Sequence, residues 1–463
     1  SLENRMRFSL EVLEAIRAAV GTDFIVGARV SANDRMTPGL SQMDLLEIIE
    51  RLDRTGLLDY FTVTGGTIEG YASRAYNIPS AYFPKKTFVD LALLVRERVR
   101  AAVIVTGRIT TPDEAEEVLA SGAADFVGMT RALIADPDLP RKAQAGRVDE
   151  IRVCMGSGEG CIDRLYFGLP VACVQNAVIG RETEWGVLEP AAVRKRVAVV
   201  GGGPAGMETA RVAALRGHSV TLFERSAELG GAILLASRAP GWSGYRTAID
   251  WLARELGRHA VDVRLDTTID AVALAALRGD YDAIVFATGA TPRRPNLSGA
   301  GLPHTWTVAD VLAGRAALRG RCVVLDETGY TPGPKAADFL ADAGHEVEIV
   351  TRQYGLGETI GITLRATLHE RLIRKGVTIT TLHAPSRVTP SGVVLRHVLT
   401  DEEHTVSADT IVFASSGVGN DALYEAYVGG RDDVTSAHLI GDAFAPRHLR
   451  NAIADGARLG RAL

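Results

Sequence analysis

The sequence has few cysteines, no long hydrophobic run and no excess of basic residues. Four cysteines in 463 residues are too few for a disulfide scaffold. No stretch of about 18 apolar residues occurs, so we expect no membrane span, and no secretory signal is visible at the start. The net charge of −5 gives no basic field, which excludes nucleic acid as an expected partner. These absences favour a cytoplasmic protein with a small-molecule substrate.

The chain has the composition of a globular protein and the length of two or three domains. Residues 1–140 alternate β-rich runs with helical patterns, which predicts a parallel sheet made of βα units. Four such units fit either half of an eight-stranded barrel or a small open sheet. The strand candidates are Phe24–Val30, Tyr60–Thr64, Ala102–Thr106 and Asp125–Gly128, and the helix candidates include Gln42–Arg54, Phe88–Arg98 and Thr111–Ala120.

A dinucleotide-binding fingerprint follows the predicted strand Arg196–Val200. Gly201 allows a tight turn, Gly203 lets backbone approach a pyrophosphate, and Gly206 lets the helix pack on the strand. Amides of the first helical turn, including that of Ala205, are donors for the phosphates. Glu224 ends the next strand, where an acid binds ribose hydroxyls and repels a 2′-phosphate, so FAD, ADP or NAD fits better than NADP. Gly441-Asp442, after an apolar strand, is typical of flavoproteins and favours FAD or its ADP portion.

A second nucleotide-type unit runs from Arg321 to Arg352 and aligns with the first without gaps. Two similar strands, in residues 281–290 and 408–417, are predicted as the exit and return points of an inserted segment. The second loop is damaged: Gly201 falls on Thr328, Gly203 on Tyr330 and Gly206 on Gly333. A tyrosine side chain thus stands where a pyrophosphate should touch bare backbone. The acid Glu224 falls on Thr351, beside Arg352, so we expect this domain to bind NAD(P)H poorly.

Three cysteines within twenty residues indicate a metal or cluster site. Cys154, Cys161 and Cys173 have the spacing C-x2-C-x3-C-x11-C, with Ser157 in the second position. In this the sequence resembles the trimethylamine dehydrogenase / 2,4-dienoyl-CoA reductase group, whose barrel is of the Old Yellow Enzyme type. The resemblance implies an iron–sulfur cluster held by the three thiolates, with Ser157 as an oxygen ligand, the mark of a three-iron cluster or the mark of a lost site. Cys322 lies in a buried-strand pattern and is expected in the core.

The resemblance covers essentially the whole chain and implies a second cofactor, FMN, in the barrel. Arg29 matches the arginine at the flavin pyrimidine edge, and Gly107-Arg108 and Thr130-Arg131 match the two phosphate-binding turns. Residues 24–131 would then be barrel strands five to eight. Because half a barrel cannot close its sheet, we expect the sequence to be incomplete at its N-terminus or to need a partner supplying the other half. The catalytic residues are accordingly unassigned and expected in that missing half.

The predicted fold class is α/β, a partial (β/α)8 barrel (strands five to eight) followed by two nested Rossmann-like domains. The predicted ranges are 1–140 for the half barrel, 141–195 for the iron–sulfur segment and linker, 196–300 with 411–463 for the FAD/ADP domain, and 301–410 for the inserted NAD(P)-type domain. Tyr71, Tyr76 and Tyr82, in the long loop after strand six, are candidates for an aromatic substrate bowl, and packing of that loop is the alternative.

Three functions follow from these motifs. The first is an FMN-dependent amine dehydrogenase or N-demethylase that passes electrons through the cluster to an electron-transfer flavoprotein or similar acceptor. The second is an NAD(P)H-dependent enoate or dienoyl-CoA reductase using FAD, cluster and FMN. The third is a non-catalytic nucleotide-binding or electron-transfer module. We also expect a homo-oligomer.

Overall fold

The computed structural model describes residues 1–429 and 436–463. The described chain divides into two compact units, one of residues 1–158 with 362–367 and one of residues 159–361 with 368–463. Within the described residues, no helix combines the length and the hydropathy needed to cross a membrane.

The first unit contains a four-stranded parallel sheet with the strands in sequence order. The second strand has the predicted bounds, whereas the first begins at Gly27, three residues late, because the Val26 amide donates to the Asp59 carboxylate (2.7 Å). The strands are β1 (Gly27–Ser31), β2 (Tyr60–Thr64), β3 (Ala102–Val105) and β4 (Phe126–Val127). The helices are α1 (Leu2–Val20), α2 (Gln42–Arg54), α3 (Tyr71–Asn77), α4 (Val89–Arg96), α5 (Pro112–Ala120), α6 (Thr130–Ala135) and α7 (Leu139–Gln144), followed by a 3-10 turn (Val148–Glu150).

The two faces of this sheet differ in burial. Phe61 and Val63 on β2 are fully buried, as are Val103 and Val105 on β3, and they pack in the core that the helices cover. The alternate positions Arg29, Thr62, Ile104 and Phe126 lie in one register row across the four strands. Phe126 in this row is 58% exposed. A parallel sheet is normally covered on both faces, whereas the face of this row is covered only in part, with Arg29 and Phe126 exposed and Thr62 and Ile104 half-buried.

The second unit begins with two short helices, α8 (Ile162–Tyr166) and α9 (Glu182–Trp185), and continues with two five-stranded sheets. The strands of the first sheet are β5 (Arg196–Val200), β6 (Ser219–Phe223), β7 (Asp262–Arg264), β8 (Ala283–Phe286) and β19 (Ala437–Leu439). Their order across the sheet is β19-β8-β5-β6-β7. The helices associated with it are α10 (Pro204–Leu215), α11 (Ala232–Ala236), α12 (Gly244–Arg258), α13 (Ala271–Asp280), α17 (Ala422–Val428) and α18 (Leu449–Ala462), with a 3-10 turn at Gly441–Ala443.

The second sheet is formed by the part of the chain between β8 and β19 of the first sheet. Its strands are β10 (Thr305–Thr307), β11 (Cys322–Asp326), β12 (Val347–Thr351), β13 (Thr378–Thr380) and β17 (Thr410–Ala414). Their order across the sheet is β10-β17-β11-β12-β13. Its helices are α14 (Val308–Leu312), α15 (Pro332–Asp342) and α16 (Ile362–Arg374). An antiparallel sheet of β14 (His383–Thr389), β15 (Gly392–His397) and β16 (Glu403–Ser407) completes the inserted segment. Cys322 is fully buried on β11, as predicted, and burial raises the pKa of its thiol to about 11.

The inserted segment leaves and returns through a pair of short antiparallel strands, β9 (Ala290–Thr291) and β18 (Val418–Gly419). The predicted exit and return regions lead directly into this pair. The boundary predicted between residues 410 and 411 is wrong, however, because it cuts β17. That strand pairs with β11 of the second sheet over its whole length, from Thr410 to Ala414, so the inserted segment extends at least to Ala414.

Candidate nucleotide and flavin sites

The first glycine loop connects β5 to α10 by a turn in which two glycines leave no room for side chains. Gly201 has a φ of +111°, and a Cβ on it would lie 2.3 Å from the carbonyl oxygen of Ala287. A Cβ on Gly206 would lie 2.0 Å from the carbonyl oxygen of Gly201. Both residues therefore set the shape of the turn and the close approach of helix and strand, as the fingerprint predicts.

Gly203 has a different role, because a Cβ on it would meet no atom within 4 Å. The space beside it belongs to a cavity of about 940 Å³. Helix α10 begins at Pro204 with no side-chain cap, so its first-turn amides and the positive end of its dipole face this space. The predicted residues that line the cavity are Gly201, Gly203, Ala205, Glu224 and Asp442. An anionic group such as a pyrophosphate fits this arrangement.

Glu224 follows β6 directly and is buried at the edge of the cavity. Its Oε2 accepts a hydrogen bond from the Gly202 amide (2.7 Å) and its Oε1 accepts one from the Ser226 amide (2.8 Å). The side chain is thereby held in one orientation, and its oxygens retain lone pairs that can accept from ribose hydroxyls. The same charge opposes a 2′-phosphate.

Asp442 lines the cavity from the other end of the first sheet, after β19. Its Oδ1 accepts a hydrogen bond from the Arg447 amide (3.0 Å), and burial raises the pKa of its carboxyl. Gly441 is required beside it, since a Cβ there would lie 2.7 Å from the Cβ of Ala205. The structure thus brings the two nucleotide signals, 240 residues apart in the chain, to one cavity.

The second glycine loop connects β11 to α15 in the same way but presents side chains instead of backbone. Asp326 Oδ1 accepts from the Thr328 amide (3.0 Å), its Oδ2 is buried without a hydrogen-bond partner, and burial raises the pKa of the carboxyl. The Tyr330 hydroxyl donates to Glu159 Oε1 (2.7 Å). Gly333 keeps its packing role, because a Cβ on it would lie 2.8 Å from the Asp326 side chain.

The first turn of α15 also has fewer backbone N–H donors than the first turn of α10. In the gapless alignment of the repeats Ala205 falls on Pro332 and Met207 on Pro334, and neither proline has an N–H. Thr351 is buried where the first domain has its acid, and Arg352 is exposed. The second loop therefore lacks two features of a pyrophosphate site, bare backbone and a ribose-binding acid, and its helix begins with two prolines where α10 has only Pro204.

In the first unit, the turn after β3 places Arg108 in a half-buried position. Gly107 and Arg108 both have positive φ, and the Arg108 guanidinium donates to the carbonyl oxygens of Ala81 (3.1 Å) and Phe83. Its Nε is buried without a partner, and burial together with the nearby Arg131 lowers its pKa to about 10. Two guanidinium groups held close together with an orphaned donor fit an anionic ligand such as the FMN phosphate.

The other predicted FMN residues are more exposed. Thr130 is the exposed first residue of α6. Arg29 projects from β1 in the exposed row of the sheet. Its contact with a flavin edge remains a prediction.

The three loop tyrosines lie in different environments. Tyr76 is buried in the core, where its ring packs edge-on against Phe88 (5.2 Å between centroids) and beneath the guanidinium of Arg35 (4.1 Å). Tyr71 is 71% exposed, and Tyr82 is half-buried. For Tyr76 the structure favours packing over a substrate bowl.

The three clustered cysteines are half-buried, with Cys154 in the first unit and Cys161 and Cys173 in the second. Within the described chain, no group of three or more His, Cys, Asp or Glu residues has the arrangement of a metal site. A Cβ on Gly160 would lie 2.8 Å from the carbonyl carbon of Cys173, so the stretch before Cys161 packs tightly on Cys173. The Gln175 amide donates to Cys173 Sγ (3.5 Å), as amides do to cluster thiolates. Ser157 is buried.

One polar cluster was not predicted from the sequence. Glu159, which lies between Cys154 and Cys161 in the chain, also accepts a hydrogen bond from the Tyr245 hydroxyl (2.9 Å). The Lys335 ammonium lies 3.0 Å above the centroid of the Trp242 ring. One sequence feature could have indicated this cluster, namely a lysine in the first turns of α15, where a helix packed on a sheet normally carries an apolar residue.

Comparison with known proteins agrees with this architecture. Residues 1–150 match the NADH:flavin oxidoreductase / NADH oxidase family, and residues 195–428 match the pyridine nucleotide-disulphide oxidoreductase family. The N,N-dimethylglycine/sarcosine dehydrogenase of Chromohalobacter salexigens is 37% identical over 99% of this chain and 72% of its own length. The NADH oxidase of Thermoanaerobacter brockii is 34% identical over 98% of this chain and 69% of its own length.

Among solved structures, histamine dehydrogenase from Rhizobium sp. 4-9 superimposes with a TM-score of 0.92 at 28% identity, covering 100% of this chain and 69% of that one. The resemblance stated from the cysteine spacing and the glycine loops is thereby confirmed. The chain belongs to the NADH:flavin oxidoreductase / NADH oxidase family, in the group that carries a pyridine nucleotide-disulphide oxidoreductase domain, and is a flavin-dependent oxidoreductase.

Proposed function

We propose that the protein is an FMN-dependent amine dehydrogenase or N-demethylase acting on a small secondary or tertiary amine. Its relatives include a dehydrogenase named for N,N-dimethylglycine and sarcosine, which are a tertiary and a secondary amine. When bound, FMN would accept the hydride from the amine, and an iron–sulfur cluster would carry single electrons to an external acceptor. An electron-transfer flavoprotein is the acceptor we propose.

The observation that carries this proposal is the loss of pyrophosphate-binding features from the second glycine loop. An NAD(P)H-fed enzyme needs a site where the reduced nucleotide binds, and in this fold that site is the second glycine loop. Tyr330, Pro332 and Pro334 deprive it of bare backbone and of amide donors. The reducing equivalents therefore enter from the substrate.

The cofactors would be held by the residues described above. Gly107, Arg108, Thr130, Arg131 and Arg29 would hold FMN in the first unit. The cavity at the first glycine loop would hold FAD or ADP. Cys154, Cys161 and Cys173 would hold the iron–sulfur cluster, with Ser157 as an oxygen ligand or a vacant position, and Tyr71 and Tyr82 remain candidates for the substrate pocket.

Anaerobic stopped-flow mixing of the flavin-loaded enzyme tests the proposal. We expect sarcosine or N,N-dimethylglycine to bleach the flavin absorbance within seconds, and NADH and NADPH to leave it unchanged over the same time. Bleaching by a reduced nucleotide and not by any of a panel of methylated amines would overturn the proposal. Iron and acid-labile sulfide analysis of the same sample reports the cluster independently.

A second candidate is an NAD(P)H-dependent enoate or dienoyl-CoA reductase. The x2/x3/x11 spacing from Cys154 to Cys173 favours it, because that spacing resembles the reductase branch of the group, and so does the similarity to an NADH oxidase. It predicts the opposite result in the stopped-flow experiment, with NADH or NADPH as the bleaching reagent.

A further inference from the structure

The carboxylate of Glu159 is bound by two phenol groups of the second unit. Tyr330 donates to its Oε1 (2.7 Å), and Tyr245 donates to its Oε2 (2.9 Å). Tyr330 belongs to the second glycine loop and Tyr245 to the first turn of α12, in the first nucleotide domain. One carboxylate thus links both nucleotide domains to the chain between Cys154 and Cys161. We call Glu159, Tyr245 and Tyr330 the Glu159 clamp.

A buried lysine and the start of a helix accompany the clamp in the second nucleotide domain. Lys335, in the first turns of α15, is buried, and its ammonium lies over the rings of Trp242 (3.0 Å) and Tyr245 (5.0 Å). Burial lowers the pKa of Lys335 to about 7, and the charge of Glu159 counteracts that shift. The N-terminal end of α15 adds the positive end of a helix dipole. Burial and the charge of Glu159 hold the pKa of Tyr330 well above its ordinary value, so its hydroxyl stays a donor.

The aligned position in the first nucleotide domain has a free space instead. Gly203 there corresponds to Tyr330, and the region beside it is the open cavity. In the second domain the residue at the same loop position, Tyr330, contacts an anion that the protein itself supplies. The carboxylate of Glu159 therefore binds the side chain that the second loop carries where the first loop has bare backbone beside an open cavity.

We propose that Glu159 is an internal ligand of the second nucleotide loop and that this contact positions the cysteine-bearing segment, residues 159–173. The second nucleotide domain would then act as an anchor for that segment instead of as a nucleotide site. Glu159 stands two residues before Cys161 in the chain, so its fixation restrains the backbone that presents this thiol. The inference deepens the proposed function, because it gives the closed second loop a purpose in the same enzyme.

Hydrogen exchange followed by mass spectrometry on the full chain tests the proposal, since exchange reports local opening whatever the activity. Tyr245→Phe/Tyr330→Phe removes both hydroxyl donors and keeps both rings. We expect the amides of residues 159–163 to exchange at least about tenfold faster, while the strands β5 and β11 keep their protection. Tyr354→Phe is the matched control, because Tyr354 is a largely exposed tyrosine of the same unit, and it should change nothing.

Substitutions of Glu159 provide the second arm. Glu159→Ala should accelerate exchange of the same segment about as much as the double tyrosine variant. Glu159→Gln should restore most of the protection, because its amide oxygen accepts from one phenol and its NH2 donates to the oxygen of the other. If the double variant fails to fold, the single variants Tyr245→Phe and Tyr330→Phe are compared, each with a smaller acceleration expected. Unchanged exchange of residues 159–163 in folded Glu159→Ala or in folded tyrosine variants would overturn the proposal.

The two proposals fail separately. If methylated amines do not reduce the flavin, the proposed function is wrong while the exchange result still stands. If the exchange rates do not respond, the clamp is wrong and the amine reaction is untouched.

Discussion

The two nucleotide-type loops of the second unit share a strand–turn–helix frame but differ at the position that faces a ligand. Both keep the glycine that lets helix and strand pack, Gly206 in the first and Gly333 in the second. The first has Gly203 beside an open cavity, and the second has Tyr330 bonded to Glu159. Helix–strand packing and ligand binding are therefore separate requirements on the sequence of such a loop. A loop can lose its ligand and keep its fold, because the packing glycine serves the core.

The largest expected effect comes from giving the first loop the tyrosine of the second. In Gly203→Tyr the backbone needs no strain, since φ at this residue is −76°, and the Cβ enters open space. The ring would occupy the pyrophosphate position, so affinity for ADP should fall at least about 100-fold with the fold intact. Isothermal titration calorimetry measures the affinity, and Gly203→Ala is the size control with a small effect.

The second effect tests whether the packing glycines are equivalent. In both Gly206→Ala and Gly333→Ala the new Cβ meets an atom closer than 3 Å, so each should lower the free energy of unfolding by about 1–3 kcal/mol. Only Gly206→Ala should also weaken ADP binding. Denaturant unfolding measured alongside ADP titration would contradict the comparison if Gly333→Ala affected ADP as strongly.

The third effect concerns the buried lysine that only the second domain has. The folded pKa of Lys335 is lowered to about 7, so the unfolded chain binds one more proton than the folded chain between about pH 7 and pH 10. Stability of the natural protein therefore rises with pH in that window. Relative to Lys335→Met, its free energy of unfolding should gain about 2 kcal/mol between pH 7.5 and pH 9. Equal pH dependence of the two proteins would show that the lysine is not buried in this way.

The smallest effect concerns the acid that only the first domain has. Glu224→Gln removes the charge beside the ribose site and keeps an oxygen acceptor for the Gly202 or Ser226 amide. The preference for ADP over 2′,5′-ADP should fall about tenfold. Glu228→Gln, which removes an exposed acid on the same cavity, should leave the preference unchanged.

Much of the nucleotide-binding architecture could be predicted from the sequence, because its signals are local. The fingerprint at Gly201–Gly206, the acid at the end of β6 and the gapless repeat each depend on a short stretch of chain. The end of the inserted segment could not be placed, since only pairing with β11 shows that β17 belongs to the second sheet. Glu159 was missed because its partners Tyr245 and Tyr330 lie 86 and 171 residues away in the chain. Tyr76 was a pocket candidate because composition alone does not distinguish an aromatic loop from a buried one.

The central claim is that one nucleotide site is open and the other is closed. Titration calorimetry of the full chain, first with ADP and then with NADH on the ADP-saturated protein, tests it most directly. We expect one equivalent of ADP to bind per chain at the first loop. We expect no heat of binding for NADH up to about 1 mM, because any remaining affinity would be weaker than the affinities that enzymes usually have for their ligands. A second stoichiometric site that takes NADH after ADP saturation, and that is lost in Gly333→Ala, would contradict it.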